Sequence, residues 1–329
     1  MNKWRVLSIT SCLITSLAIA ACQAKVETVT PQTVVQTPPE TPTKAPEATA
    51  PPQPAAPPPN EARKQLPNSI AYYMDGMEKA KVTENIIYKT LPDGENLRLD
   101  VYLPEEAEKD EKYPVVILVH GKARNPVNLK SRGMYVTWSQ LIAKSGMAAV
   151  AFNYRLSTFD RTSEATEDIR DLIEYVRENA DTLQIDKDRL AIATYSASGV
   201  AGLYFPLKER PPFIKAMVSY YNWLDLEHMR PYNEPDVFDK LNEFAPITHL
   251  QHEPEKLAPM LVLKAGKDSD QINDSIDRFM KLAEEKKADV RMLVHPEGDH
   301  GFDFENDDDT SRELIKQTID FLTRNLKEK

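Results

Sequence analysis

Three polar residues each follow a short apolar run of the sequence within a few positions: Ser196, Asp268 and His300. Ser196 lies in a very short turn between the apolar run 190–193 and a segment near Gly199 that is typical of a helix start. A serine in such a turn projects its hydroxyl from the carboxyl end of the strand, beside free helix amides. Because a hydroxyl becomes a nucleophile only when a base takes its proton, Ser196 needs His300. The three residues therefore indicate nucleophilic catalysis by serine.

The elements that would position these residues are eight predicted strands and the helices between them. An antiparallel hairpin comes first, over 85–88 and 97–103 with the turn Pro92–Gly94 between the two strands. Six unbroken apolar runs follow, which are typical of parallel strands covered on both faces. These runs are 115–119, 148–152, 190–193, 216–220, 260–263 and 290–294.

Amphipathic periodicity predicts helices over 166–179, 275–286 and 312–326. Strands that alternate with helices favour an α/β fold with an eight-stranded, mostly parallel sheet flanked by helices. Residues 222–256 break the alternation and are rich in aromatic, proline and charged residues. We interpret them as a small cap-like insertion over the sheet edge, and expect their side chains and those of 122–140 to shape the pocket.

With these motifs the sequence resembles the α/β-hydrolase superfamily over residues 85–327. It is most similar to the carboxylesterase and dienelactone-hydrolase-like branches, and more distantly to the catalytic domain of prolyl oligopeptidases. The chain order serine, acid, histidine is the order of that superfamily. Three further segments match its pattern: Asn153-Tyr154-Arg155-Leu156, Gly266-Lys267-Asp268 and Gly298-Asp299-His300-Gly301-Phe302.

The resemblance implies a role for each matching residue. Ser196 is the nucleophile, His300 the general base that later returns the proton, and Asp268 the acid that fixes the imidazole tautomer. The backbone N–H of Ala197 is one oxyanion-hole donor. The second donor is expected from the loop after Gly121, at the N–H of Lys122 or Ala123. The resemblance implies no cofactor and no metal.

The sequence departs from the superfamily pattern at the serine turn and at the oxyanion loop. The usual glycines two positions before and after the serine are Thr194 and Ser198, and the oxyanion loop reads His120-Gly121-Lys122 where many esterases have a run of glycines. We expect the two side chains at the turn to strain it or to narrow the pocket. Asp270 is the alternative acid, and His120 is interpreted as structural.

For the other polar and aromatic groups that stand out in the sequence, structural roles are favoured over catalysis or ligand binding. His249 and His252 are three residues apart, but no third ligand stands at a convincing position, so we predict no metal site. The acidic run 305–309 is interpreted as a solvated loop before the last helix. Tyr220, Tyr221 and Trp223 follow a predicted strand, where core packing is favoured over stacking on a substrate.

The amino terminus is typical of an export signal. Lys3 and Arg5 precede an uncharged stretch over 6–21 that is shorter than the about 20 residues of a membrane span. The segment Ile19-Ala20-Ala21-Cys22 resembles the lipobox of bacterial lipoproteins, which implies cleavage after residue 21 and lipidation of Cys22. Residues 22–67 are predicted to be an extended tether, since Pro31–Pro59 contains 11 prolines. The hydrolase domain is then 68–329.

Composition narrows the partners. The formal net charge of −10 argues against a nucleic-acid binder, which needs a basic face. The two cysteines, Cys12 and Cys22, both lie in the leader region, so a mature domain would have no thiol nucleophile and no disulfide.

The residue after Cys22 is Gln23, whereas an aspartate at this position would resemble an inner-membrane retention signal. The glutamine therefore favours the outer membrane in a cell with two membranes. The oligomeric state is not readable.

The sequence thus predicts a lipid-anchored, extracytoplasmic serine hydrolase, most simply a carboxylesterase of small-molecule or glycan esters. Two alternatives stay open. One is a peptidase of the prolyl-oligopeptidase kind, and the other is a non-catalytic hydrolase-fold lipoprotein that binds an envelope partner. The second alternative predicts Ser196 and His300 far beyond hydrogen-bond reach of each other.

Overall fold

A computed structural model describes residues 66–122, 128–155, 161–251 and 253–327. Within these ranges eight strands form one sheet in the order β1-β2-β4-β3-β5-β6-β7-β8. The strands are β1 Lys81–Thr90, β2 Asn96–Leu103, β3 Tyr113–Val119, β4 Ala148–Phe152, β5 Ile185–Tyr195, β6 Ile214–Tyr220, β7 Met260–Ala265 and β8 Val290–His295. β2 is antiparallel to both β1 and β4, and every other neighbouring pair is parallel. The predicted eight-stranded, mostly parallel sheet is confirmed.

The described residues also form ten α-helical segments. They are α1 Gly133–Lys144, α2 Thr162–Glu178, α3 Ala180–Leu183, α4 Gly199–Gly202, α5 Tyr204–Glu209, α6 Pro235–Asn242, α7 Pro246–His249, α8 Asp270–Lys286, α9 Phe302–Glu305 and α10 Asp309–Lys327. The three helices predicted from periodicity correspond to α2, α8 and α10, and each begins three to five residues before its predicted start. Sequence patterns find the apolar stripe of a helix better than its polar first turn.

Two hydrophobic cores lie on opposite faces of the sheet. Successive side chains of β3 alternate between them, so that Ile117 belongs to the core that includes residues of α2 and α8, while Leu118 belongs to the core that includes residues of α1 and α10. Both residues are essentially inaccessible to solvent. Because each face of the central strands is covered, these strands need apolar residues at consecutive positions, which explains their unbroken apolar runs.

Helix α1 was not among the predicted helices. It buries nine of its 12 residues, including Tyr135, Trp138 and Ser139. A helix that is buried on most of its surface has no clear polar face, so its periodicity is weak. Its N-cap position is Arg132, whose side chain makes no capping hydrogen bond, so the usual start signal is also missing.

Arg155, from the segment that resembles the esterases, has a structural role. Its guanidinium donates to the buried carboxylate of Asp168 in α2 at 2.8 and 2.7 Å. Lys89 of β1 donates to the same carboxylate at 2.8 Å. The arginine therefore ties the loop after β4 to a helix and to the sheet edge, and Leu156 lies outside the described residues.

The described residues of the insertion 222–256 pack against the helices after β5. A small separate cluster joins Leu226, Phe238 and Ala245 to Val200 of α4. At the other end of the domain, residues 66–74 cross α1 and α9. There the Ile70 N–H donates to Thr137 Oγ1 at 3.0 Å, and the Ala71 N–H donates to the carbonyl of Asp303 at 2.6 Å.

In the described part of the chain, none of the helices combines the length and apolar character that crossing a membrane requires. The predicted signal peptide, Cys22 and the tether up to residue 65 lie outside the described residues. Lipidation and the domain boundary at residue 67 therefore stay predictions.

Candidate active site

Ser196 lies at a sharp turn between β5 and α4. Its φ of +58° is in the left-handed region, which costs a residue with a β-carbon about 1–3 kcal/mol. A 3-10 turn over Ser196–Ser198 leads directly into α4. This backbone carries the Ser196 hydroxyl off the carboxyl end of β5, as predicted for a strand-to-helix turn with a serine at its tip.

The two residues that replace the usual glycines point into the protein interior. Ser198 Oγ accepts the Tyr195 N–H at 2.8 Å and lies 2.8 Å from the carbonyl oxygen of Val119, to which it can donate. Thr194 Oγ1 donates to the Val218 carbonyl at 3.1 Å. Neither residue lines the cavity beside Ser196. The expectation that they narrow the pocket was wrong, because their hydroxyls bond to the strands beneath the turn.

Restoring the superfamily glycine by Ser198→Gly is therefore expected to destabilise the protein. The fully buried donor at Tyr195 and acceptor at Val119 would lose their partner, at a cost of about 1–3 kcal/mol of unfolding free energy. Urea unfolding followed by circular dichroism measures this cost. The matched control is Ser163→Gly at an exposed position of α2, which should cost no more than about 1 kcal/mol. Equal midpoints for Ser198→Gly and the wild type would contradict the role of the hydroxyl.

The structure brings Ser196, His300 and Asp268 together from the ends of three strands. His300 Nε2 lies 2.8 Å from Ser196 Oγ, and His300 Nδ1 lies 2.6 Å from Asp268 Oδ2. Both distances are within hydrogen-bond range. The second carboxylate oxygen, Asp268 Oδ1, accepts the N–H of Ser269 at 2.7 Å. Both carboxylate oxygens are therefore held, and the alternative acid Asp270 begins helix α8 instead.

These contacts decide which nitrogen of His300 carries the proton. A carboxylate only accepts hydrogen bonds, so Nδ1 must donate its proton to Asp268. In the neutral imidazole Nε2 then has a free lone pair, 2.8 Å from the Ser196 hydroxyl that can donate to it. The arrangement can transfer a proton from serine to histidine, which is the step that makes a serine nucleophilic.

The loop after β3 passes close to Ser196. A β-carbon added to Gly121 would lie 2.8 Å from the Tyr195 carbonyl oxygen and 3.1 Å from Ser196 Cβ, so only glycine fits there. The Gly121 N–H is already donated to the Tyr135 hydroxyl at 2.9 Å. The second oxyanion donor that the resemblance predicts would therefore have to be the N–H of a later residue in the loop. Lys122, the next residue in the loop, lines the cavity beside Ser196. Ala197, the other predicted donor, directly follows Ser196, which also lines this cavity.

His120 supports this loop from below. Its ring is buried, and burial lowers the pKa of the imidazole to about 4, so it is neutral near pH 7. Its Nδ1 lies 3.0 Å from the carbonyl oxygen of Gly121. Tyr154 packs on the ring and donates its hydroxyl to the His120 carbonyl at 2.6 Å. A neutral ring held in this way shapes the oxyanion loop and agrees with a structural role.

A cavity of about 110 Å³ opens beside Ser196. Its described walls are largely apolar and aromatic, and the basic residues among them are Lys122 and Arg132. The expected contribution of 222–256 is not seen among the described lining residues. The segment before the sheet contributes Asn68, and helix α9, which follows His300, contributes Phe304. The insertion packs on the helices after β5 and so leaves this cavity to other segments.

The aromatic residues at and after the end of β6 divide between the core and the site. Tyr220 is fully buried and stacks on Tyr195 with ring centroids 5.3 Å apart. Tyr221 lines the cavity, and its ring contacts His300. Trp223 stacks on His228 at 3.9 Å, away from the lining residues. The sequence analysis identified these aromatic residues but missed Asp303, a buried carboxylate. The feature that could have indicated it is an acidic residue between two phenylalanines, three positions after His300.

None of the described His, Cys, Asp and Glu residues form a group of three or more that could hold a metal ion. His249 has its Nε2 2.9 Å from the Glu243 carbonyl oxygen, and His252 lies outside the described residues.

Comparison with known proteins agrees with this fold. The BD-FAE family model matches residues 99–233, which include Ser196 but neither Asp268 nor His300. A butyrate-bound esterase, Est2, from Thermogutta terrifontis is similar with a TM-score of 0.60 and 19% identity, covering 77% of this chain and 98% of that one. An esterase of Pyrobaculum calidifontis has a TM-score of 0.56 and 22% identity, covering 74% and 84%.

Among curated proteins, the non-reducing polyketide synthase atr1 of Stereocaulon alpinum is 22% identical over 168 residues. That match covers 46% of this chain and spans 7% of the length of the synthase. The sheet order, the serine turn and these matches together show an α/β-hydrolase fold. At these identities the solved structures show the fold, and the chemistry has to be argued from the site.

Proposed function

We propose that this protein is a serine hydrolase that cleaves carboxylic esters. The observation that supports it most is the line of contacts from Asp268 through His300 to Ser196, at 2.6 and 2.8 Å. A binding protein has no need for this arrangement, so the contact between Ser196 and His300 favours catalysis over the alternative of an envelope-binding lipoprotein.

The proposed reaction proceeds through an acyl-enzyme. His300 Nε2 takes the Ser196 proton as Oγ attacks the ester carbonyl, and the carbonyl oxygen gains the negative charge. The N–H groups of Ala197 and Lys122 are the predicted donors to that oxygen. When the intermediate collapses, the ester C–O bond breaks and His300 returns the proton to the leaving alcohol. Water, deprotonated by His300, then attacks the acyl group and releases the acid and free Ser196.

The structural relatives support an ester as the substrate. The Thermogutta terrifontis enzyme is an esterase seen with butyrate and propionate, and it is phosphorylated by paraoxon. Esters with a short acyl group suit the small, apolar-walled cavity beside Ser196. We therefore propose short-chain esters as the first substrates to test, including acetyl groups carried on sugars. No observation in the described residues favours the peptidase alternative.

The test is covalent labelling of the full chain with a fluorophosphonate probe, together with hydrolysis of 4-nitrophenyl acetate and butyrate. An activated serine gives a labelled band and ester turnover, and mass spectrometry of the tryptic digest places the adduct on the peptide that contains Ser196. A folded protein that is neither labelled nor active would overturn the proposal.

The proposed location rests on the sequence. Lipidation of Cys22 would hold the hydrolase on the outer face of a membrane through the proline-rich tether. We propose this anchor for the same enzyme, with a small-molecule or glycan ester as its partner and no role for nucleic acid.

A further inference from the structure

Behind the imidazole of His300 lies a buried pair formed by Tyr221 and Asp303. The Tyr221 hydroxyl donates to Asp303 Oδ1 at 2.6 Å. Trp138 of helix α1 donates its indole N–H to the other oxygen, Asp303 Oδ2, at 2.8 Å. Tyr221 is 2% exposed and Asp303 is fully buried. The carboxylate thus links the end of β6, helix α1 and the loop that carries His300.

Burying the carboxylate of Asp303 at this position is energetically unfavourable. Burial raises the pKa of its carboxyl group to about 6, and the hydrogen bonds from Trp138 and Tyr221 act in the opposite direction. Both side-chain donors are neutral, so neither hydrogen bond supplies a positive charge to compensate for the lost hydration. A buried acid with neutral partners next to a catalytic residue suggests a function for the pair beyond core packing.

The backbone of Tyr221 is also unusual. Its φ of +40° is in the left-handed region, which is unfavourable for a residue with a β-carbon. Two contacts hold it there: its N–H donates to the Leu263 carbonyl at 2.8 Å, and its hydroxyl bonds to Asp303. This conformation turns the ring out of the sheet and into the wall of the active-site cavity.

There the Tyr221 ring contacts the His300 ring, with centroids 4.7 Å apart and planes at 57°. The His300 side chain is 40% exposed, so protein atoms cover only part of the imidazole. Asp268 and Ser196 each hold one nitrogen, and Tyr221 supports the ring itself. An aromatic ring within about 6 Å also favours a cation, and His300 becomes an imidazolium during each transfer step.

We propose that Tyr221 is a positioning residue for His300 and that Asp303 holds Tyr221 in place. This inference rests on the proposed hydrolase function. It predicts that the pair acts on the reaction step, in which His300 must keep its orientation while it is charged, and leaves substrate binding almost unchanged.

The test compares Tyr221→Phe with Tyr220→Phe in the full chain. Tyr221→Phe keeps the ring and removes the bond to Asp303, so kcat should fall about tenfold with KM unchanged within about twofold. Tyr220→Phe is the matched control, because it removes a hydroxyl that lies 2.7 Å from Thr318 Oγ1 in the same buried cluster, and its ring stacks on Tyr195 whereas the ring of Tyr221 contacts His300. Its kcat should stay within about twofold of the wild type.

Proton NMR adds a readout that a purely structural role would not move. The low-field signal of the His300 Nδ1–H, which is donated to Asp268, should shift or broaden in Tyr221→Phe and stay unchanged in Tyr220→Phe. Tyr221→Leu removes the ring as well and should lower kcat about 100-fold. If the leucine variant does not fold, the phenylalanine variant decides alone.

A wild-type kcat in Tyr221→Phe, or a rise in KM with kcat unchanged, overturns the inference. An equal loss of kcat in both phenylalanine variants also overturns it, since the effect would then belong to the aromatic core. These outcomes require an active wild type, whereas an unlabelled and inactive wild type overturns the proposed function itself.

Discussion

Replacing Ser196 by alanine is expected to lower kcat/KM for short-chain esters by about 10⁵-fold or more, the size of effect seen when a serine nucleophile is removed. The reason is that the Oγ that forms the acyl-enzyme is lost while His300 and Asp268 remain in place. No thiol can replace it in the hydrolase domain, because the two cysteines are Cys12 and Cys22. Initial rates with 4-nitrophenyl butyrate measure the loss, and the fluorophosphonate label should disappear with it.

The double variant Ser196→Ala/His300→Ala sharpens this prediction. If the two residues act as one unit, the double variant should be no worse than Ser196→Ala alone. Ser163→Ala, at an exposed position of α2, is the control and should keep full activity. Retention of label and turnover in Ser196→Ala, with a normal unfolding midpoint, would show that another residue carries the reaction.

Replacing Asp268 by asparagine is expected to lower kcat/KM about 10⁴-fold, as is found when the acid of a serine–histidine pair becomes an amide. The hydrogen bonds of Asp268 in the structure predict the orientation of the asparagine amide in this variant. Because the Ser269 N–H donates to Oδ1 at 2.7 Å, the amide oxygen must stay there, and the NH₂ group faces His300 Nδ1. The NH₂ group can only donate, so Nδ1 must accept and Nε2 must carry the proton. In this tautomer His300 cannot take the proton of Ser196.

Asp270→Asn is the matched control, since it makes the same change two residues away at the start of α8. It should leave kcat/KM within about twofold of the wild type, as is usual for an exposed position away from the site. The reverse result, with Asp270→Asn the damaging variant, would move the acid of the triad to Asp270 and contradict the geometry described above.

How much the sequence could predict differed from element to element. The strand predicted over 148–152 is β4 to the residue, because a central strand covered on both faces needs an unbroken apolar run. Helix α1 was not predicted because it is buried on most of its surface and its N-cap side chain makes no capping hydrogen bond. Strand β1 begins at Lys81, four residues before the predicted start, since it is an exposed edge strand whose residues need not be apolar.

The same contrast holds within the active site. Ser196, Asp268 and His300 could be named because parallel strands deliver their carboxyl-end loops to one edge of the sheet, so their order along the chain already limits where they meet. The inward bonds of Ser198 and the pairing of Tyr221 with Asp303 could not be named, because each joins residues whose contact depends on side-chain direction. A pattern in the sequence contains no such directions.

The sequence by itself determined the sheet and pointed to Ser196, Asp268 and His300 as the residues of the proposed reaction, because strand burial and local turn chemistry are encoded in neighbouring residues. Only the tertiary structure decided the distances within the triad, the tautomer of His300 and the walls of the cavity, where Asn68 and Phe304 stand in place of the expected insertion. These features arise where segments that are far apart in the chain pack together, and packing is set by the shapes of all the side chains at once.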